Sequence, residues 1–161
     1  MAGVQDRLTA LGLRLPPEPK LPPGFVIPFQ WVRVRGQRAY VSGHGALTAD
    51  GAARGPFGRV PSEVSLEEAQ ASARAAILSM LASLERALGD LGRVAAWLTL
   101  SGFVNADPGY GQTTLVMNAA SELLLDLFGD DAGSHARTGP GVTALPFNVP
   151  VVLSAEVEIA A

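Results

Sequence analysis

The sequence predicts an α+β domain: a mixed sheet with two long helices packed on one of its faces. Three observations predict it. Two stretches, Ser65 to Leu88 and Gln112 to Phe128, repeat apolar residues at helical spacing. Three others, Phe29 to Ser42, Val94 to Asn105 and Val151 to Ile159, carry strand patterns. The order hairpin, helix, strand, helix, strand lets both helices cover one side of the sheet.

The elements follow in chain order. Val4 to Leu13 can form a short helix, with Val4, Leu8, Leu11 and Leu15 near one side. Six prolines between Pro16 and Pro28 then favour an extended chain near polyproline II. Residues 1–24 are therefore expected to be a helix and proline-rich tether on the outside of the body, with residues 25–161 as the domain. From Phe29 to Arg35, Phe29, Trp31, Arg33 and Arg35 alternate with Gln30, Val32 and Val34. Gly36-Gln37 is a hairpin turn, and Arg38 to Ser42 the return strand. Ala46 to Pro61 is a loop, with a turn at Ala49-Asp50-Gly51 and a brief strand around Phe57 to Val60.

Ser65-Leu66-Glu67-Glu68 is a capping box, so a helix starts there. Ile77, Met80, Leu81, Leu84 and Leu88 form its apolar stripe, with Arg74, Ser83, Glu85 and Arg86 off it. Gly89 ends it. Val94 to Asn105 is almost unbroken apolar sequence, which predicts a strand covered on both faces. In the second helix Leu115, Val116, Ala119, Ala120, Leu123, Leu124 and Leu127 line the buried side. Asn118, Glu122 and Asp126 line the polar side, and Gly129 stops it. Arg137 precedes Thr138-Gly139-Pro140-Gly141, a run expected to turn the chain. The last strand sends Val151, Leu153, Ala155, Val157 and Ile159 to one face, and Val152, Ser154, Glu156 and Glu158 to the other.

Composition narrows the function. With 161 residues and 48% apolar content the chain can bury a core of its own. No apolar run approaches the roughly 20 residues of a membrane span, and no leader pattern opens the chain. There is no cysteine, so thiolate chemistry, disulfides and zinc–sulfur sites are excluded, and a cytoplasmic location is expected. Two histidines, His44 and His135, are too few for a histidine-based metal site. A net charge of −3, with Arg33, Arg35 and Arg38 as the largest basic cluster, argues against a nucleic-acid partner. Gly102, Gly109 and Gly111 lack the context of a phosphate loop, so no cofactor is expected.

Three motifs carry a family resemblance. They are Tyr40-Val-Ser-Gly-His44; Asn118-Ala-Ala-Ser-Glu-Leu-Leu124 followed by Phe128-Gly129; and His135-Ala-Arg137, then a small-residue run, Leu145-Pro146 and a terminal strand. In this order, from about Pro28 to Ile159, the chain resembles the Rid/YjgF family of reactive-intermediate deaminases. These were earlier labelled L-PSP endoribonucleases or translation initiation inhibitors. The resemblance implies a chorismate-mutase-like fold, a homotrimer with a pocket at each subunit interface, and hydrolysis of 2-imino or 2-enamino acids to 2-oxo acids.

Site residues follow from the same resemblance. Arg137 matches the arginine that anchors a substrate carboxylate, a role suited to the guanidinium fork. Ser42 and Gly43 match the place where backbone groups meet the ligand, and Asn118 matches a pocket asparagine. Two positions depart. Val152 stands six residues after Pro146, where the family's deaminases carry a glutamate, and valine can neither move a proton nor hold a water. Phe29 stands where a tyrosine is usual. Ser154 is then the nearest polar candidate for the catalytic role. Glu156 lies about 13 Å further along the strand. The alternative is a non-catalytic ligand-binding or interaction trimer that kept the anchor and lost the acid.

Overall fold

The computed structural model describes residues 2–161. Three helices and a six-stranded mixed sheet form one α+β domain. In chain order these are α1 (Val4–Ala10), β1 (Val32–Arg35), β2 (Arg38–His44), α2 (Leu66–Leu88), β3 (Val94–Asn105), α3 (Thr113–Ala132), β4 (Ala136–Thr138), β5 (Gly141–Val142) and β6 (Val151–Ile159). The sheet order is β1-β2-β6-β3-β4, with β5 also on β3. Pairs among β1, β2, β6 and β3 are antiparallel, while β4 and β5 run parallel to β3.

Local chemistry sets both ends of α2. The Ser65 hydroxyl accepts the Glu68 amide at 3.0 Å, satisfying one orphan donor of α2. Gly89 closes the helix in the left-handed region at φ 81°. In α3 the helical path breaks at Gly129, φ 84°, as its sequence position predicts. The stripe Ile77, Met80, Leu81, Leu84 is fully buried against Leu100, Leu153 and Val157 of the sheet. Ser83, expected off the stripe, is buried as well. Two expected core residues are not in it: Leu115 is 40% exposed on the first turn of α3, and Leu11 is 48% exposed beyond the end of α1.

β3 is bounded as its apolar run predicts, but only one face is covered. Trp97, Leu100 and Val104 are buried under the helices, while Leu98, Ser101 and Phe103 remain half-exposed. β6 shows the predicted alternation, with Val151 to Ile159 at odd numbers buried and Val152, Ser154 and Glu156 half-exposed on the open face.

The run Thr138 to Gly141 does not turn the chain. Leu100 pairs with Arg137 and Val104 with Gly141, the same offset on both sides of the break. β4 and β5 are thus one edge strand, interrupted at Pro140, which has no amide hydrogen. The Pro140 carbonyl still accepts from the Val104 amide at 3.1 Å, so the strand keeps its direction. The reversal comes later, at Phe147 and Asn148. Both are non-glycine residues in the left-handed region, at φ 57° and 56°.

The first strand is shorter than its alternation suggests. β1 begins at Val32, opposite Val41, so Phe29 and Trp31 lie outside the ladder. β2 bulges between Val41 and His44, where its register with β6 shifts before pairing resumes at His44–Leu153. The expected strand around Phe57 reduces to one bridge between Val60 and Ala106. At the N-terminus α1 docks on α3, with Leu8 buried and Arg7 Nη1 donating to the Leu127 carbonyl at 3.2 Å. Among the described residues no helix is long and apolar enough to cross a membrane.

Candidate ligand site

Arg137 lies on β4, and its pairing partner Leu100 is buried beneath the helices. Its side chain therefore points to the helix side of the sheet. There Nη2 donates to Asn118 Oδ1 and Nη1 to Ser121 Oγ, each at 3.0 Å. Asn118 and Ser121 stand three apart on α3, which places them on neighbouring turns of one face. Both acceptors are neutral. The two ion pairs among the described residues are Lys20–Asp50 and Arg38–Glu156, so Arg137 has no carboxylate partner. The guanidinium is half-buried and oriented, with its charge uncompensated.

His135 completes this cluster. Its Nδ1–H donates to the Gly133 carbonyl at 2.7 Å, which leaves Nε2 as the acceptor for the Ser121 hydroxyl at 2.8 Å. Ser121 can thus accept from Arg137 and donate to His135. The sequence reading missed Ser121. Its spacing of three from Asn118 was the available signal.

The other candidates gather elsewhere. Phe29, Ser42, Gly43 and Val152 line a cavity of about 540 Å³ at the β1-β2-β6 end of the sheet. Arg137 is not among its walls. From β4 to β2 is three inter-strand steps, about 14 Å at ~4.8 Å each, and Val152 faces away from the helices. Within one chain the anchor and the cavity are separate. Ser154 is half-buried on the open face, two residues beyond Val152.

Each cavity residue has a structural task. The Ser42 hydroxyl donates to the Gln30 carbonyl at 2.7 Å, and its amide to the Trp31 carbonyl at 3.0 Å. It holds Phe29 and Trp31 over the cavity, with its hydroxyl proton committed to Gln30. Gly43 sits in the bulge of β2 without a positive φ. A Cβ there would lie 3.0 Å from Val152 Cγ1, so glycine is needed for close approach rather than for a turn. Phe29 meets Trp31 edge-on at 5.3 Å between ring centroids, and Trp31 packs on His44 at 5.1 Å.

His44, on the cavity floor, has both nitrogens engaged. Nδ1–H donates to the Ser42 carbonyl at 2.5 Å, and Nε2 accepts from Ser83 Oγ at 2.8 Å, which in turn accepts from Arg86. Burial pushes its pKa below the ordinary 6.5; the bond to Ser42 opposes this and the Arg86 charge adds to it. His44 is a neutral structural post, and Ser83 is buried because it holds this ring.

The tether is part of the site. Lys20 N donates to the Gly51 carbonyl at 2.9 Å, and Pro19, Lys20, Leu21, Phe25 and Ile27 wall the cavity. No group of three or more His, Cys, Asp or Glu side chains among the described residues could hold a metal ion.

Comparison with known proteins adds relatives. No family model matches the chain. Protein TCP17 of Trypanosoma cruzi is 40% identical over 102 residues, which is 63% of this chain and 64% of that protein, less than two thirds of its length. Among solved structures, a protein of unknown function from Agrobacterium tumefaciens is 32% identical with TM-score 0.87, covering 98% of this chain and 94% of that one. A Shewanella oneidensis protein, provisionally named an endoribonuclease, is 27% identical with TM-score 0.84 over 98% of this chain and all of the other. A Yersinia pestis protein described as a member of the conserved Rid family shares the fold, at 17% identity and TM-score 0.59 over 85% of this chain and 92% of that one.

Proposed function

The chain belongs to the Rid/YjgF family, as a divergent member, and from that premise we propose that it binds a small carboxylate at sites between subunits of a homotrimer. The observation that carries this is Arg137: an oriented, half-buried guanidinium held by two neutral oxygens, with no acidic partner. Such a fork matches the two oxygens of a carboxylate. Arg137 and the cavity of its own chain are on opposite faces of the sheet. A shared site therefore uses Arg137 of one subunit and the cavity of the next. The half-exposed face of β3 and β6 supplies the apolar surface that such packing would cover.

The cavity favours binding over catalysis. Hydrolysis of an imine needs water added to the imine carbon, the C–N bond broken and ammonia released, and a group to move protons. Val152 offers none, and no Asp or Glu lines the cavity. A second reading, deaminase activity with Ser154 positioning water, is favoured by its half-buried hydroxyl on the same face.

The test is a deaminase assay in which an amino-acid oxidase generates the imine in situ. Release of 2-oxo acid is followed with the wild type and with Val152→Glu. Silence from the wild type and acceleration by the variant is the expected result. Acceleration by the wild type would move the reading to the Ser154 enzyme.

A further inference from the structure

We infer that the cavity walled by the tether takes the bulky apolar body of its ligand, an aromatic or branched side chain, so that the carboxylate bound is a large apolar one and not a short one. This rests on the carboxylate reading for the head of the ligand, and on the cavity alone for its body.

Four observations carry it. First, the cavity is a concave space of about 540 Å³, within the range of roughly 300–1,000 Å³ typical of small-molecule sites. Its walls are apolar, and Lys20 at the rim is the only charged side chain among them. Second, three of the chain's most exposed large apolar side chains converge on it: Phe25 at 58%, Phe147 at 53% and Phe29 at 47%. Apolar surface concentrated around one concavity marks a binding site, where scattered single residues would not. Third, Phe147 holds a left-handed backbone, a conformation costly for a bulky residue, and this brings its ring to 5.8 Å from Phe25. The turn is held from outside: Asn105 Nδ2 donates to Asn148 Oδ1 at 3.2 Å, and the Gly58 amide to the Asn148 carbonyl at 2.8 Å. Fourth, the side-chain donors at the floor are committed. Both His44 nitrogens and the Ser42 hydroxyl proton are paired, so the floor's side chains offer a ligand no free donor.

The tether cannot be the occupant, because it is already a wall. Its Pro19, Lys20 and Leu21 line the cavity together with Phe25 and Ile27 just after it, and the hydrogen bond from the Lys20 amide fixes it to the Gly51 turn. Residues 19–29 are a specificity element, added beside the site rather than across it.

The experiment is calorimetry on the full chain with two probes, phenylpyruvate and pyruvate, which share the 2-oxo acid head and differ by one ring. Burying a phenyl ring predicts that phenylpyruvate binds at least about tenfold more tightly. In a Phe25→Ala/Phe147→Gly double variant the gap should fall below about threefold; glycine also suits the left-handed position. Val152→Gln, which leaves the tether intact, should weaken phenylpyruvate and spare pyruvate. Equal affinities in the wild type, or a gap that survives both variants, would overturn the inference while leaving the carboxylate reading in place. A gap that persists unchanged in Arg137→Ala, with neither affinity altered, would keep the inference and overturn Arg137 as anchor. Binding of neither acid would overturn both.

Discussion

Arg137 and Val152 lie on opposite faces of one sheet. Arg137 pairs with Leu100 on the helix side, and Val152 pairs with Phe103 on the open side. Two positions that a linear motif joins into one site are thus divided by the strand order β2-β6-β3-β4. A site that uses both must be assembled from two chains.

Replacing Arg137 with alanine should abolish carboxylate binding and leave the fold intact. The side chain's hydrogen bonds go to Asn118 and Ser121, which water can serve once it is gone. A loss of about 100-fold in affinity, with less than about 1 kcal/mol in stability, is expected for an oriented charge on a half-exposed edge strand. Calorimetry with a 2-oxo acid and a urea melt measure the two quantities. Undiminished binding would rule out the anchor.

Sedimentation should give three times the chain mass. The half-exposed β3–β6 face, with Phe103 and Leu98 among its residues, is the surface expected to be covered. A monomer at micromolar concentration would remove the shared site.

Stability should fall as pH drops below about 6.5, through His44. Its folded pKa lies below the ordinary 6.5, so the unfolded chain takes up the proton first and protonation favours unfolding. One such group changes stability by at most about 1.4 kcal/mol per pH unit. Asp50 and Asp107 have pKa values lowered first by bonds from Thr48 and Ser62, so their contribution is lost only below about pH 4. Melting temperatures at pH 7.5 and 5.5 should therefore differ in the wild type and converge in His44→Gln. An equal drop in that variant would point to another group.

Gly133→Ala should destabilise the protein by about 1–3 kcal/mol, the usual cost of overpacking. An added Cβ would lie 2.6 Å from the Gly129 carbonyl oxygen and 2.7 Å from that of Leu124, backbone atoms that cannot step aside. The Gly133 carbonyl itself seats His135, so carboxylate binding should weaken along with the melt. A variant of unchanged stability would mean that the end of α3 yields more easily than its packing suggests.

Much of the fold was legible because its signals are local. The Ser65 cap, the Gly89 and Gly129 stops, and the bounds of β3 each depend on a few neighbouring residues. The alternation of β6 depends only on period two. Periodicity says which residues of an element share a face, and it correctly paired Val152 with Ser154. It could not tell that Leu115 lies beyond the sheet's cover, or that Ser83 is buried to hold His44.

By itself the sequence determined the two long helices, the caps of α2, the bounds of β3, the buried face of the last strand and the family motifs. Only the tertiary structure decided that Thr138 to Gly141 continues as an edge strand, that the tether walls a cavity, and that Arg137 points away from it. The physical reason is that strand neighbours here are far apart in sequence. β6 lies between β2 and β3, and β4 runs parallel beside β3, so long-range hydrogen bonding sets the order in which faces and edges meet.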